Sequence, residues 1–273
     1  MKIDYTFHSH TYRCGHAVGD IEDYVSLAIQ QGFKIYGVSD HVLLPGVVQP
    51  NTRGDFSLLD DYVNTYSSVK EKHNDKIQLY LGFECEFADI FVDYYKYLLK
   101  EKGFDYLICG QHNGFNNDKS PYSYLSDIEG LYRYRDDLIK AMESGLFLYI
   151  AHPDMFFLSA EEITPIYKKI TKNIIAAAIK YKVVLEINIH GLLRKHNRKG
   201  KTFIDYPCEY FWQEVSKTNI PIVLGGDFHN PNEIYFSDTK EKLLNLINKY
   251  HLKIVNIEEV YKDYQRRIEK YRK

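Results

Sequence analysis

The sequence predicts an α/β fold in which seven strands, each followed by a helix or a long loop, curl into a closed or nearly closed (β/α)7 barrel of the TIM-like kind. The first observation is that seven short apolar or β-branched runs recur along the 273 residues. The second is that segments with helical composition separate most of them, a pattern typical of βα units around a mostly parallel sheet. The third is that seven strands within about 230 residues fit a barrel better than a six-stranded doubly wound sheet.

The elements follow in chain order. The predicted strands are KIDYTF (2–7), KIYGVS (34–39), IQLYLGF (77–83), YLICG (106–110), LFLYIA (146–151), VVLEIN (183–188) and PIVLGG (221–226). Helical patterns are predicted at 20–32, 57–73, 93–103, 128–145 and 164–181, with Gly32 as a C-terminal cap and Pro165 in a first turn. No internal repeat or Pro/Gly/Ser linker interrupts this order, so we expect one continuous domain over 1–273.

Composition narrows the class of protein. With 45% hydrophobic and 26% charged residues, the chain has the make-up of a soluble globular protein. A net charge of −2, with both signs scattered, argues against a nucleic-acid partner. The N-terminus lacks a signal-peptide core and no run approaches the roughly 20 apolar residues of a membrane span, so we expect no membrane partner and a cytoplasmic location. Four cysteines without CxxC spacing suggest free thiols.

Polar residues with metal-ligand chemistry follow every predicted strand. In a barrel of parallel strands the chemistry lies at their carboxyl ends, so these residues are expected to meet on one rim. Eight of the eleven histidines are among them. In chain order the rim residues are His8, His10 and His16; Asp40 and His41; Glu84 and Glu86; Gln111, His112 and Asn113; His152 and Asp154; Asn188 and His190; Asp227 and His229.

The spacing of these residues indicates more than one metal ion. His8 and His10 lie on one face of an extended segment, and Asp227 and His229 repeat that geometry. Imidazole and carboxylate without thiolate suit Zn, Mn or Fe. One zinc site takes three or four protein ligands, whereas seven histidines, one glutamate and Asp227 are available, which calls for two or three divalent ions. Glu84 and Glu86 share a face, so spacing leaves either as the ligand.

The pieces FHSHTYRCGH, SDH, GFE, QH, AHPD, LEIN with GLLRK, and GGDFH resemble, in the same order, the PHP family (polymerase and histidinol phosphatase) and within it the histidinol-phosphate phosphatases. The resemblance spans essentially the whole chain and implies a trinuclear site on the distorted barrel of the PHP fold. It implies that His8, His10, Glu84 and Asp227 bind one ion, and that Glu84, His112 and His152 bind a second. The third ion would take His16, His41 and His229.

The activity that the resemblance implies is hydrolysis of L-histidinol phosphate in histidine biosynthesis, by a hydroxide held between metals. The predicted catalytic residues are Asp227, His229, Arg194 and His190. Arg194 is the expected phosphate-binding cation, with Arg13, Lys195 and Arg198 as rivals, and His190 is a candidate proton donor or substrate contact. Further substrate contacts are expected at Glu86, Asn113 and Asp154, while Asp40 and Asp154 are also candidates for orienting ligand histidines.

Two other functions remain open at this point. One is a PHP phosphoesterase for another phosphomonoester, phosphotyrosine or a nucleotide, because no residue in the sequence selects the substrate. The other is a non-catalytic metal-binding module. The chain departs from the pattern where Ile189 and His190 replace Thr-Ser before GLLRK, which carries an extra leucine. Oligomeric state, metal identity and the residues that would contact the imidazole end of the substrate are not predicted.

Overall fold

The computed structural model describes residues 3–112, 125, 127–194, 197–198, 200–237 and 239–272. The strands are β1 Tyr5–Thr6, β2 Ile35–Val38, β3 Gln78–Cys85, β4 Tyr106–Cys109, β5 Leu185–Asn188, β6 Asn197–Arg198, β7 Lys201–Thr202 and β8 Ile222–Gly225. The helices are α1 Ile21–Gln30, α2 Leu59–His73, α3 Val92–Glu101, α4 Ile128–Ser144, α5 Pro165–Tyr181, α6 Glu209–Val215, α7 Lys240–Tyr250 and α8 Ile257–Arg272.

The main strands close into a barrel. Parallel pairing gives the order β1-β2-β3-β4 on one side and β5-β8 on the other. Ile150 bridges the two halves, because it pairs with Cys109 of β4 and with Leu185 of β5. A parallel bridge between Ser9 and Phe228 joins the end of β1 to the end of β8 and completes the ring. The predicted distorted, TIM-like α/β barrel is therefore confirmed.

The predicted fifth strand, 146–151, is shorter than expected. Only Ile150 forms bridge pairs, yet the backbone of this segment still bonds to both neighbours. The Leu148 amide donates to the Leu107 carbonyl, and the Ile150 amide donates to the Val184 carbonyl. The segment thus occupies the fifth position of the ring with little regular strand, which is one source of the distortion.

The helices begin and end where local signals place them. A capping box between Asp20 and Asp23 starts α1, and Gly32, at a φ of 74°, follows its end. Pro165 is the first residue of α5. The prediction lacks α6 and α7, and it covers α8 only as a charged helical face at 261–273. None of the helices in the described part of the chain combines the length and apolar character that a membrane span requires.

The barrel brings all seven carboxyl ends to one rim, and apolar side chains fill the layer beneath it. The residues of β2, β4, β5 and β8 are buried throughout, as expected for strands covered by helices on one side and filled by side chains on the other. Polar side chains at the rim are therefore held on a rigid support. The predicted meeting of the strand-end residues can be examined directly.

Candidate metal centre

The carboxylate of Glu84 lies at the centre of the rim. It comes from β3, one residue before the strand ends, and its side chain is 1% exposed. Five histidine rings surround it. The nitrogen-to-oxygen distances are 3.4 Å to His8 Nε2, 3.5 Å to His10 Nε2, 3.1 Å to His41 Nδ1, 3.4 Å to His112 Nε2 and 2.8 Å to His152 Nε2.

Asp227, next to Glu84, is a second carboxylate surrounded by histidine rings. Its Oδ1 lies 2.9 Å from His10 Nε2 and 3.4 Å from His8 Nε2. The Nδ1 atom of His229 is 3.5 Å from the same oxygen. On its other side, His229 Nε2 is 3.1 Å from His16 Nε2. That separation is near the edge of about 3.3 Å expected between two nitrogen ligands of one tetrahedral zinc.

The ends of β1 and β8 explain why the residues around Asp227 meet. The Asp227 amide donates to the His8 carbonyl, and the His10 amide donates to the Phe228 carbonyl, so the two strand ends are locked in register. Alternation then turns His8 and His10 to one face, as the sequence predicts. Asp227 has a positive φ of 53°, an unusual value for a residue other than glycine, at the point where β8 leaves the barrel.

The donors fit divalent metal ions. Several buried polar atoms here have no hydrogen-bond partner within the described residues, namely His8 Nε2, both ring nitrogens of His10, His41 Nδ1, Glu84 Oε2 and His152 Nδ1. Burying such atoms unpaired is costly, whereas a cation would satisfy most of them together. Four overlapping groups could each hold an ion: His8, His10 and Asp227; His8, Glu84 and His152; His10, His41 and His229; His41, Glu86 and His112.

The protonation of Glu84, His41 and His229 also suits cations. Burial alone would raise the pKa of the Glu84 carboxyl, but the charges of His112 and His8 hold it well below its ordinary value. Burial and the charge of His10 lower the pKa of His41 and that of His229, which favours neutral rings. A neutral imidazole and an ionised carboxylate are the forms that bind metal.

Further carboxylates hold the ligand rings from behind. Glu86 Oε1 is 3.2 Å from His112 Nδ1, and Arg53 Nη2 donates to both oxygens of Glu86 at 2.8 Å. Asp40 Oδ1 lies 3.6 Å from His10 Nδ1 and accepts from the His41 amide at 3.0 Å. A hydrogen bond such as that between His112 and Glu86 fixes the orientation of a metal-bound imidazole. The expectation that Asp40 orients a ligand thus has a geometric basis.

Glu86 and Asp154 both lie inside the protein. Both were expected as substrate contacts, but both side chains are fully buried. Glu86 is engaged by Arg53 and His112, as described above. Asp154 accepts from the Cys208 amide at 2.6 Å and from the Trp212 indole at 3.0 Å, so it secures the segment before α6. Burial raises the pKa of Asp154 to about 7. Neither carboxyl group faces solvent, where a substrate would arrive.

The two candidate phosphate-binding arginines, Arg13 and Arg194, lie in different surroundings. Arg13, a rival phosphate cation, is 4% exposed and is held by Asp20 and by Asp61 at 2.7 Å. It therefore anchors the loop after β1. Arg194 lies over the ring of Tyr206 at 5.5 Å, and that ring is 5.7 Å from the ring of His152. Arg194 thus stands one aromatic ring away from His152, a candidate metal ligand.

His190 belongs to the neighbourhood of the metal ligands. Its ring centre is 4.9 Å from that of His229, and its Nδ1 is 3.4 Å from Glu233 Oε2. The same Glu233 oxygen accepts from the His229 amide at 2.8 Å. Asn113 and Lys195 lie outside the described residues, as does the side chain of Arg198, and their predicted roles stay predictions.

Sequence reasoning missed several residues that support the site, among them Arg53, Glu186 and Glu233. Glu186 is fully buried in β5, and its Oε2 is 2.9 Å from His8 Nδ1. A charged residue in the middle of a predicted buried strand was the available signal, since such a group must find partners. Arg53 lies in a loop and Glu233 in the short 3-10 helix Pro231–Tyr235, where sequence spacing gives no comparable indication.

Comparisons with known proteins agree with this geometry. A family model described as "PHP domain" matches residues 6–190. A probable histidinol-phosphatase of Deinococcus radiodurans is 28% identical over 236 residues, covering 84% of this chain and 87% of the relative. A probable phosphatase of Shewanella piezotolerans is 26% identical over 235 residues, covering 84% and 79%.

A solved structure shares the fold. It is a histidinol phosphate phosphatase from Lactococcus lactis in complex with zinc, L-histidinol and phosphate. The TM-score is 0.66 at 18% sequence identity, and the match covers 92% of this chain and 95% of that one. At this level of identity the likeness establishes the fold of the present chain.

Proposed function

Because this chain belongs to the PHP domain family, we propose that it is a metal-dependent phosphomonoesterase that hydrolyses L-histidinol phosphate to L-histidinol and phosphate. The names of similar proteins support this substrate, since one relative is a probable histidinol-phosphatase and one neighbour holds L-histidinol and phosphate. The reaction would serve histidine biosynthesis. The remaining support comes from the site itself.

The observation that carries the proposal is the position of Glu84 among five imidazoles, at distances of 2.8 to 3.5 Å. One carboxylate cannot bridge five rings through a single four-coordinate ion, so the arrangement calls for two or three ions. The nine proposed ligands are His8, His10, His16, His41, Glu84, His112, His152, Asp227 and His229. Zinc, manganese and iron all suit this donor set.

Bound ions would supply a nucleophile from water at neutral pH and would neutralise charge on the phosphate oxygens. The chain's own residues do the rest. His16 and the edge of His229 are the exposed part of the ligand set and so would meet the substrate first. His190, which is partly exposed beside His229, is the proposed donor of a proton to the leaving alkoxide.

Arg194 is the proposed phosphate clamp. Its side chain is 29% exposed, and the closest carboxylate oxygen among the described residues, Asp205 Oδ1, lies 3.9 Å from Nε. The guanidinium is therefore only loosely engaged and can turn toward an anion. Tyr206, beneath it, would limit that movement to the side facing His152. A fork of N–H donors suits phosphate oxygens better than a single ammonium does.

Glu233 is the proposed partner of the substrate's ammonium group. A cationic amino alcohol needs an anion nearby, yet Glu86, Asp154 and Asp205 are fully buried. The Glu233 side chain, by contrast, is 22% exposed and borders a cavity of about 340 Å³ beside His190. Its Oε2 is used by the His229 amide, whereas Oε1 accepts no hydrogen bond from the described residues. This oxygen is therefore available to a cationic group.

The alternative function is hydrolysis of another phosphomonoester. The Shewanella piezotolerans relative covers the same share of this chain and is described only as a probable phosphatase. Both functions would use the same metal centre. They differ in which alcohol is released, so substrate preference separates them.

The test is a panel of substrates offered to the metal-loaded protein. L-histidinol phosphate should give the highest kcat/KM, above serine phosphate, phosphotyrosine, para-nitrophenyl phosphate and nucleoside monophosphates, with no turnover of a phosphodiester. Glu84→Gln should abolish all activity. His251→Asn, which changes an exposed histidine at a left-handed helix end outside the site, should retain it. Equal or better turnover of another ester would reject the proposed substrate.

A further inference from the structure

A buried carboxylate, an amide and a glycine meet behind two of the proposed ligands. Glu186 accepts from His8 Nδ1 at 2.9 Å through Oε2 and from Asn188 Nδ2 at 3.0 Å through Oε1. Asn188 Nδ2 also donates to Asp227 Oδ2 at 3.0 Å. His8 and Asp227, expected to share an ion, are thus joined from behind by one continuous chain of hydrogen bonds.

The glycine at position 225 makes this arrangement possible. A Cβ atom built there would lie 1.9 Å from Glu186 Oε2 and 2.1 Å from its Cδ. Since β5 and β8 pair with Asn188 opposite Gly225, the carboxylate occupies the space that a side chain on the facing strand would fill. Gly225 has no positive φ, so its conformation does not require glycine, whereas the space does.

Asn188 is itself fixed at both ends. Its Oδ1 accepts from the Gly191 amide at 2.8 Å, which holds the turn after β5. Its Nδ2 must then face the two carboxylates, so Asn188 cannot rotate without breaking three bonds. Because Asn188 holds Oδ2 of Asp227, the other oxygen, Oδ1, is directed at the site, where it lies nearest His10.

From this geometry we propose that Glu186, Asn188 and Gly225 form a positioning unit for the ion that His8 and Asp227 would share. The inference rests on the proposed metal centre and goes beyond its ligands. Glu186 fixes His8 with Nδ1 protonated and Nε2 directed at the ion, and Asn188 orients the Asp227 carboxylate. Gly225 keeps the space in which Glu186 reaches His8. Glu86, which lies behind His112, is outside this unit. The unit meets the ligands of the second ion only at the backbone of His152, whose amide lies 3.4 Å from Glu186 Oε1.

The experiment measures zinc binding to metal-free protein by competition with a chromogenic chelator. Wild type should bind two to three equivalents. Glu186→Gln offers one acceptor oxygen to the donors that Glu186 serves, so the affinity for about one equivalent should fall roughly 10- to 100-fold while the others stay within about 3-fold. Gly225→Ala should weaken the same equivalent. The second readout is the melting temperature with and without zinc. The rise in melting temperature that zinc produces should be smaller in Glu186→Gln and Gly225→Ala than in wild type.

A matched control exists in α1 and α2. Glu22 and His73 form a carboxylate–histidine pair of the same length, 2.9 Å, among residues that are not proposed ligands. Glu22→Gln should leave all zinc equivalents unchanged. Gly225→Ala should also cost less than about 2-fold in a Glu186→Ala background, because the group it would displace is then absent.

Three results would overturn the inference. The first is wild-type zinc affinity in Glu186→Gln. The second is an equal effect of Gly225→Ala with and without Glu186. The third is loss of all equivalents together with a lowered melting temperature of metal-free protein, which would make Glu186 a general stabiliser. Fewer than two equivalents in wild type would instead remove the metal centre itself, and the two failures are therefore distinguishable.

Discussion

Gly110 leaves the space through which Glu84 reaches the centre of the site. A Cβ atom at Gly110 would lie 1.8 Å from Glu84 Oε1 and 2.9 Å from a carbon of the His152 ring. Gly110 directly follows β4, which pairs with β3, so the position of Glu84 depends on a missing side chain just beyond the end of the neighbouring strand.

Gly110→Ala should therefore disturb the metal centre although it replaces none of the proposed ligand residues. The new methyl group must displace the Glu84 carboxylate, so we expect zinc affinity to fall by roughly 10- to 100-fold and phosphatase activity with it. Elemental analysis and the substrate assay measure both. Circular dichroism should show an intact α/β fold, and normal metal content in the variant would contradict the role given to this pair.

Replacing Arg53 should destabilise the protein through Glu86. Arg53→Leu leaves a fully buried carboxylate without the guanidinium that compensates it, a change expected to cost about 3 to 5 kcal/mol in unfolding free energy. Urea unfolding of metal-free protein checks the value. Arg53→Leu combined with Glu86→Gln should recover part of the loss. Lys140→Met, which breaks an exposed pair with Asp89, should change stability by less than about 1 kcal/mol.

Zinc affinity should rise with pH. Burial lowers the pKa of His10, but the nearby carboxylates of Asp227 and Asp40 more than compensate and raise it to about 9 in metal-free protein. A raised pKa means that the proton stays bound as pH increases through neutrality, so zinc must displace it there. Affinity should increase from pH 6.5 toward pH 9 and level off above it. Calorimetry in buffers of different ionisation enthalpy should detect released protons; pH-independent binding would contradict this.

Glu233→Gln should distinguish cationic from neutral substrates. If Glu233 binds the ammonium group, KM for L-histidinol phosphate should rise about 10-fold or more, because a hydrogen bond to a charged group is lost. For para-nitrophenyl phosphate, which has no ammonium group, KM and kcat should stay within about 2-fold. A purely structural role at the His229 amide would impair both substrates alike. Glu209→Gln, at an exposed carboxylate paired with Lys249, is the matched control.

Much of the site could be predicted from the sequence because its ligands follow strands. Once the strands are recognised, parallel packing brings their ends together, and this is why His8 and Asp227 could be placed on the rim in advance. Spacing left Glu84 and Glu86 open, and only the family resemblance selected Glu84. Their supporting groups obey no such rule. Arg53 reaches Glu86 from a loop, and Asp154 turns toward Cys208 and Trp212, contacts that only the packed tertiary structure determines.

The fold, like the site, was predictable from the sequence only in part. The strand at 183–188 was predictable from its apolar run, but the role of Glu186 within it depends on what lies opposite. Only the pairing of β5 with β8 reveals that Gly225 provides the space. The fifth strand was overestimated because its apolar composition, LFLYIA, reflects burial on all sides more than regular pairing.

The central claim is that Glu84 lies between several metal ions that activate phosphate-ester hydrolysis. Elemental analysis of active, unchelated protein, with activity on L-histidinol phosphate measured in the same sample, tests this most directly. We expect two to three divalent ions per chain, with activity lost on chelation and restored by zinc, manganese or iron. Full activity with fewer than two ions per chain would contradict it.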